Sequence, residues 1–218
     1  MSVGATPRAG ELMADRAYAE MRDRIVTLRI PPGAPIDEDA LGKEFEMGRT
    51  PVREAIKRLS LENLVTVFPR RGTFASEINI TDLAHIADVR VQLERHAAYR
   101  AAERIGAGQR EQLEALLDEL DRNDATADAR ELVGLDTRVH RFVYECADNP
   151  YLEETLGRYL NLSLRIWHLV IDRLPNLSAR VQEHRELLTA IRDGEADRAR
   201  TVAGDHVITF EREIRSVL

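Results

Sequence analysis

Four side chains in the second half of this 218-residue sequence have the types and spacing to hold a metal ion. Asp136 and His140 stand four residues apart, so on a helix they stack on one face. That face is otherwise apolar, marked by Leu132, Val133, Val139 and Val143. His184 sits among Val181, Leu188 and Ile191, and His206 among Val202, Phe210, Ile214 and Val217. An ionised carboxylate in an apolar interior is costly unless paired or metal-bound. One carboxylate and three imidazoles facing one interior therefore form a candidate site for a divalent metal, zinc foremost, with nickel or manganese also suited. Each residue alone has a plainer reading: Asp136 and His140 could bond one another, and a core histidine is often simply hydrogen-bonded. His85, His96 and His168 show no partner pattern and read as structural or surface groups.

Arg90 is a second anomaly. It falls between Leu83, Ile86, Leu93 and Ala97 on a helical wheel, and a buried guanidinium needs an anion. Glu94, four residues on, is one candidate; the carboxylate of a ligand beside the metal is the other.

A different chemistry is written in the first half. The chain carries a net charge of -7, but residues 1–76 are net +1 and residues 77–218 net -8. Within 49–74 there are six basic and two acidic side chains. At ~100° per residue, Arg49, Thr50, Arg53 and Lys57 share one arc of a helix, and Val52, Ala55, Ile56 and Leu59 share another. One face would pack inward. The other offers groups that donate to guanine edges or phosphates, and the first turns of a recognition helix are the part that reaches the major groove. A generic amphipathic helix with a basic exterior is the plainer alternative.

The elements needed to hold these groups can be read from punctuation. Tyr18, Met21, Ile25 and Leu28 recur at helical spacing and predict a first helix over about 11–29, stopped by Pro31-Pro32-Gly33. Asp37 can cap a second helix with Leu41 and Phe45 inward. The third runs from Arg49 to about Glu62 and ends at Asn63 in a left-handed turn. Val65, Val67 and Phe68, then Pro69-Arg70-Arg71-Gly72, then Thr73-Phe74, predict a hairpin with Arg71 at its tip. This is the order of a winged helix-turn-helix. From Thr81 the pattern is all helical: about 81–104, 108–126, 129–147, 150–173, 178–192 and 195–217. Short breaks at Gly106-Ala107-Gly108, Asp148-Asn149-Pro150, Pro175-Asn176 and Asp193-Gly194 imply an antiparallel bundle. The expected organisation is a loose tail over 1–10, a winged helix-turn-helix with a small β-hairpin over 11–76, and an all-α bundle over 77–218; the fold class is mostly α.

Arg49-Thr50-Pro51-Val52-Arg53-Glu54-Ala55, with Leu59, Leu64-Val65 and Arg70-Arg71-Gly72-Thr73-Phe74, resembles the GntR family of bacterial transcription regulators over about 18–75. The departures are Glu46, where the family turn usually carries glycine, and Gly48, where the helix cap is usually serine or threonine. The second half resembles the ligand-binding domain of the FadR branch, on Val89-Arg90 with Leu93-Glu94, Asp136-x3-His140-Arg141-Phe142 with Asn149-Pro150, Glu183-His184-Arg185 with Ala190-Ile191, and Asp205-His206-Val207. The resemblance implies DNA contact by Arg49, Thr50, Pro51, Arg53, Lys57, Arg71 and Gly72. It implies a metal on Asp136, His140, His184 and His206, a carboxylate effector meeting that metal and Arg90, and a homodimer on a palindromic double-stranded operator.

The expected function is therefore a ligand-responsive transcriptional regulator, by family habit a repressor, and not an enzyme. The rival is a metal-dependent hydrolase with a DNA-binding appendage, for which no separate general base is evident. No run approaches the ~20 apolar residues of a membrane span. Residues 1–10 lack the apolar core of a cleaved export signal. Cys146 is the only cysteine, so no intrachain disulfide can form, and the expected compartment is the reducing cytoplasm.

Overall fold

The computed structural model describes residues 9–122, 128–174 and 177–218. The chain divides into two compact units, with the boundary between Ile78 and Asn79.

In the first unit, α1 (Ala9–Val26), α2 (Glu38–Glu44) and α3 (Arg49–Leu61) precede an antiparallel hairpin of β1 (Val65–Phe68) and β2 (Gly72–Ala75). α1 starts within the segment expected to be a tail. It also ends earlier than expected, because Leu28 turns into the left-handed region (φ 59°) instead of continuing the stripe. Ala17, Met21 and Ile25 of α1 are fully buried, as are Val52, Ala55 and Leu59 of α3. The inward and outward arcs expected for α3 are the ones observed. Asp37 caps α2, its Oδ1 accepting from the backbone N–H groups of Asp39 (2.9 Å) and Ala40 (3.0 Å). Glu46 carries the turn between α2 and α3 at φ 55°, and Asn63 ends α3 at φ 62°. A bridge from Pro35 to Phe74 ties the loop before α2 onto the hairpin.

In the second unit the helices are α4 (Asp82–Arg104), α5 (Ala107–Arg122), α6 (Ala129–Cys146), α7 (Pro150–Val170), α8 (Leu177–Gln182), α9 (His184–Arg192) and α10 (Ala196–Val217). A 3-10 turn, Ile171–Arg173, extends α7. Residues 123–126 of the expected second bundle helix, and the Pro175-Asn176 break, lie outside the described residues. The helix expected over 178–192 is two helices. At the step between them Glu183 keeps helical torsions, but its N–H bonds to Arg180 O (3.2 Å) and Glu186 N–H bonds to Glu183 O (3.1 Å), an i→i−3 pattern that tightens the turn. α10 packs along α4, and α4 also meets α6, α7 and α9, so α4 is the spine of the unit. Asn149 caps α7 through Leu152 N–H, with Pro150 at the first helical position. No helix among the described residues is long and apolar enough to cross a membrane.

Candidate functional site

The polar residues of the apolar stripes meet. Asp136 and His140 on α6, His184 at the start of α9 and His206 on α10 each offer one ligand atom, and these four atoms lie within 4.8 Å of one another. All four residues are buried. The Nε2 atoms of His184 and His206 lie 3.6 and 3.7 Å from Asp136 Oδ1, and His140 Nε2 lies 3.8 Å from Oδ2. These separations, up to 4.8 Å, exceed the ~3.0–3.4 Å between neighbouring ligands of an ion with ~2.1 Å bonds, so the side chains would draw together to close on one ion.

What the other ring nitrogens do is decisive for the tautomers. His140 Nδ1 faces Glu94 Oε2, His206 Nδ1 faces Glu183 Oε2, and His184 Nδ1 faces the Val181 carbonyl, each at 3.2 Å. With N–H on Nδ1 in all three, the lone pairs sit on Nε2 and point inward. Those Nε2 atoms and Asp136 Oδ2 are buried without a hydrogen-bond partner. Buried polar groups are rarely left so. The donor set therefore fits a divalent metal, and it is an Asp/His3 cluster compatible with one.

Side chains of the cluster shift one another's protonation. Burial works against the charge on Asp136, yet the surrounding imidazoles hold its carboxyl below the usual range. Burial, reinforced by His206, pushes His184 down to about 3. Burial also disfavours protonated His206, but Asp136 and Glu183 outweigh it and raise His206 to about 9.

Arg90 is buried, as expected, and its partner is Glu94: Nη2 donates to Oε1 at 2.6 Å and Nε at 3.2 Å. The same carboxylate takes the Tyr144 hydroxyl on Oε1. Arg90 also faces a pocket that opens against His140 and His206, walled by Ser163, Trp167 and Phe210, with about 270 Å³ of empty space counting its mouth. Sequence reasoning missed the second role of Glu94, the roles of Glu183 and Tyr144, and Ser163 in the pocket wall. The signal available for Tyr144 was its place four residues after His140.

On the first unit, Arg49, Thr50, Arg53 and Lys57 lie exposed along α3, with Pro51 half-buried, and Arg71 and Gly72 are exposed at the hairpin tip. The arginines are held by the first turn of α2. Arg49 pairs with Asp39 (Nε–Oδ1 2.6 Å, Nη2–Oδ2 2.8 Å), and Arg53 Nε donates to Glu38 at 2.8 Å. Lys57 pairs with Glu54 at 2.7 Å.

Comparison with known proteins agrees with both units. Residues 13–75 match the family described as bacterial regulatory proteins, gntR family, and residues 85–209, more than half of the chain, match the FCD domain. This chain belongs to the GntR family. The HTH-type transcriptional repressor RspR of Escherichia coli K12 is 24% identical over 200 residues, covering 92% of this chain and 88% of that protein. An uncharacterized HTH-type transcriptional regulator from the TAR-I ttuE-ttuC' intergenic region of Agrobacterium vitis is 33% identical over 146 residues, 64% of this chain and 82% of that protein. The structure of E. coli McbR/YncC superposes with a TM-score of 0.82 at 19% identity, covering 94% and 97% of the two chains, and so shares the fold. As a GntR regulator the chain is a DNA-binding transcriptional regulator with a ligand-sensing FCD domain, of the FadR-like kind, and not an enzyme.

Proposed function

We propose that this GntR protein is a cytoplasmic homodimeric repressor that releases a palindromic operator when its FCD domain takes up a small carboxylate beside a bound divalent metal. The division of labour follows the residues: 11–76 read DNA, 77–218 sense the ligand and dimerise. Asp136, His140, His184 and His206 would hold the metal, zinc foremost, with nickel or manganese as alternatives. A metal there supplies a Lewis-acidic point for a carboxylate oxygen. Arg90, Ser163, Trp167 and Phe210 wall the adjoining space, so an acid in the pocket would meet one cation and an aromatic wall. Arg49, Thr50, Pro51, Arg53 and Lys57 would enter the major groove, with Arg71 and Gly72 at the wing. A relative named as a repressor supports the same sense of regulation here.

The observation that carries the metal reading is the convergence of four buried donor atoms that have no hydrogen-bond partner. The test is elemental analysis of protein purified without chelator or affinity-tag histidines, beside His140→Ala and His206→Ala. One metal per wild-type chain, none in the variants, and a rise in melting temperature on zinc addition are expected. Wild type that takes up no zinc, nickel or manganese would leave the four residues as a buried polar cluster.

A further inference from the structure

Each imidazole of the cluster is gripped from behind, and two of the three grips are carboxylates from outside the candidate ligand set. Glu183 occupies the tightened step between α8 and α9. That step lets two consecutive residues serve one centre: His184 through its own Nε2, and Glu183 through Nδ1 of His206 on α10. Glu183 is itself anchored, because Arg180 on α8 donates to it and, through Nε at 2.7 Å, to Glu213 on α10. Glu94 on α4 does the same for His140, and its other oxygen is held by Arg90 and Tyr144.

We infer that Glu94 and Glu183 are positioning residues of the metal centre, each fixing the tautomer and raising the donor strength of one imidazole through Nδ1, and that Glu94 ties this centre to the pocket through Arg90. The inference rests on the reading of Asp136, His140, His184 and His206 as metal ligands. An Nδ1–H donated to a carboxylate leaves the Nε2 lone pair free and makes it more basic. His184, served by the neutral Val181 carbonyl, lacks that enhancement. Because Arg90 bonds Glu94 and also lines the pocket, an anion that draws the guanidinium toward itself changes what Glu94 offers His140.

The experiment is a Co²⁺ titration of chelator-stripped, full-length protein, following the visible absorption of the bound ion. Circular dichroism of each variant confirms its fold. Glu183 is half-exposed, so its variants leave no buried charge stranded. Glu183→Ala is expected to bind Co²⁺ about 10–100-fold more weakly than wild type. Glu183→Gln is expected to recover only part of that loss, since an amide oxygen still accepts from Nδ1–H but carries no charge; a purely packing role would give full rescue, because the amide fills the same space. Glu94→Gln alone strands the Arg90 charge, so the paired change Arg90→Met with Glu94→Gln is used instead, and a loss like that of Glu183→Gln is expected. Wild-type affinity in Glu183→Ala and in the paired variant would overturn the positioning role while leaving the four ligands intact. Failure of wild type to bind Co²⁺ would overturn the ligand reading and this inference together.

Discussion

His184 and His206 lie with ring centroids 4.3 Å apart, yet their surroundings push them in opposite directions, so the stability of chelator-treated protein is expected to depend on pH from both sides. His206 is raised to about 9, so its contribution is full below the ordinary histidine value near ~6.5 and is lost as pH climbs toward 9. His184 is pushed down to about 3, so its contribution is full above ~6.5 and is lost as pH falls toward 3. Urea unfolding of chelator-treated protein should therefore show an alkaline limb worth about 2–4 kcal/mol between ~6.5 and ~9, and His206→Gln should flatten it. An alkaline limb unchanged in that variant would show that His206 is not the group responsible. Glu46 gives a second residue-scale expectation. It holds a left-handed turn at φ 55° that costs an L side chain about 1–2 kcal/mol and glycine almost nothing. Glu46→Gly should raise stability by about 1 kcal/mol in thermal or urea melts. It should also tighten DNA binding at low salt by removing a carboxylate near α3; weaker binding would contradict that placement. The departure of Glu46 from the family pattern was visible in the sequence. The doubled role of Glu94 was not, since nothing in spacing alone says that a carboxylate on one helix meets an imidazole 46 residues away.

At the scale of elements, α3 was legible because its apolar and basic residues separate at the helical period, and because Asp37, Gly48 and Asn63 punctuate its surroundings. The division of α8 from α9 was not legible. Glu183 keeps helical torsions and only the hydrogen-bond step changes, so no glycine or proline marks it. The early end of α1 was hidden for a related reason: Leu28 has the right spacing to continue the stripe, and only its left-handed backbone takes it out. The acidic first turn of α2 adds something the arc on α3 did not reveal. Glu38 and Asp39 pair with Arg53 and Arg49, and exposed pairs of this kind are weak, so phosphates and guanine edges would displace them at little cost. Arg49→Ala and Arg53→Ala should each weaken operator binding by about 1–3 kcal/mol if they read bases. Arg71→Ala should weaken binding to operator and unrelated duplexes alike, as a backbone contact does. Gel-shift titrations at fixed salt measure this, and unchanged affinity in all three variants would remove α3 and the wing from the DNA interface.

At the scale of the molecule, the two units have separate cores: Met21, Ile25, Leu59 and Leu64 in the first, Leu113, Leu135, Leu160 and Leu188 in the second. Loss of the Asp/His3 cluster should therefore leave the first unit folded. The charge is divided as well, net +1 over residues 1–76 against net -8 beyond them, so attraction to DNA is confined to the head and the rest of the chain opposes non-specific association with a polyanion. One α3 and one wing cover only a short stretch of duplex, too little for a specific site, whereas two related heads double the contacts and match the two-fold symmetry of a palindrome. The working species is therefore expected to be a dimer of about 49 kDa, twice the 24.7 kDa chain. Multi-angle light scattering of the free protein and of its complex with operator gives the mass directly. Half-sites should lie one or more helical turns apart, about 34–36 Å per turn, on one face of the duplex. Inserting half a turn of DNA between them should abolish tight binding, and inserting a full turn should damage it less if the two heads can move apart. A monomeric mass both free and on DNA, or full affinity for an isolated half-site, would rule the dimer out as the form that reads the operator.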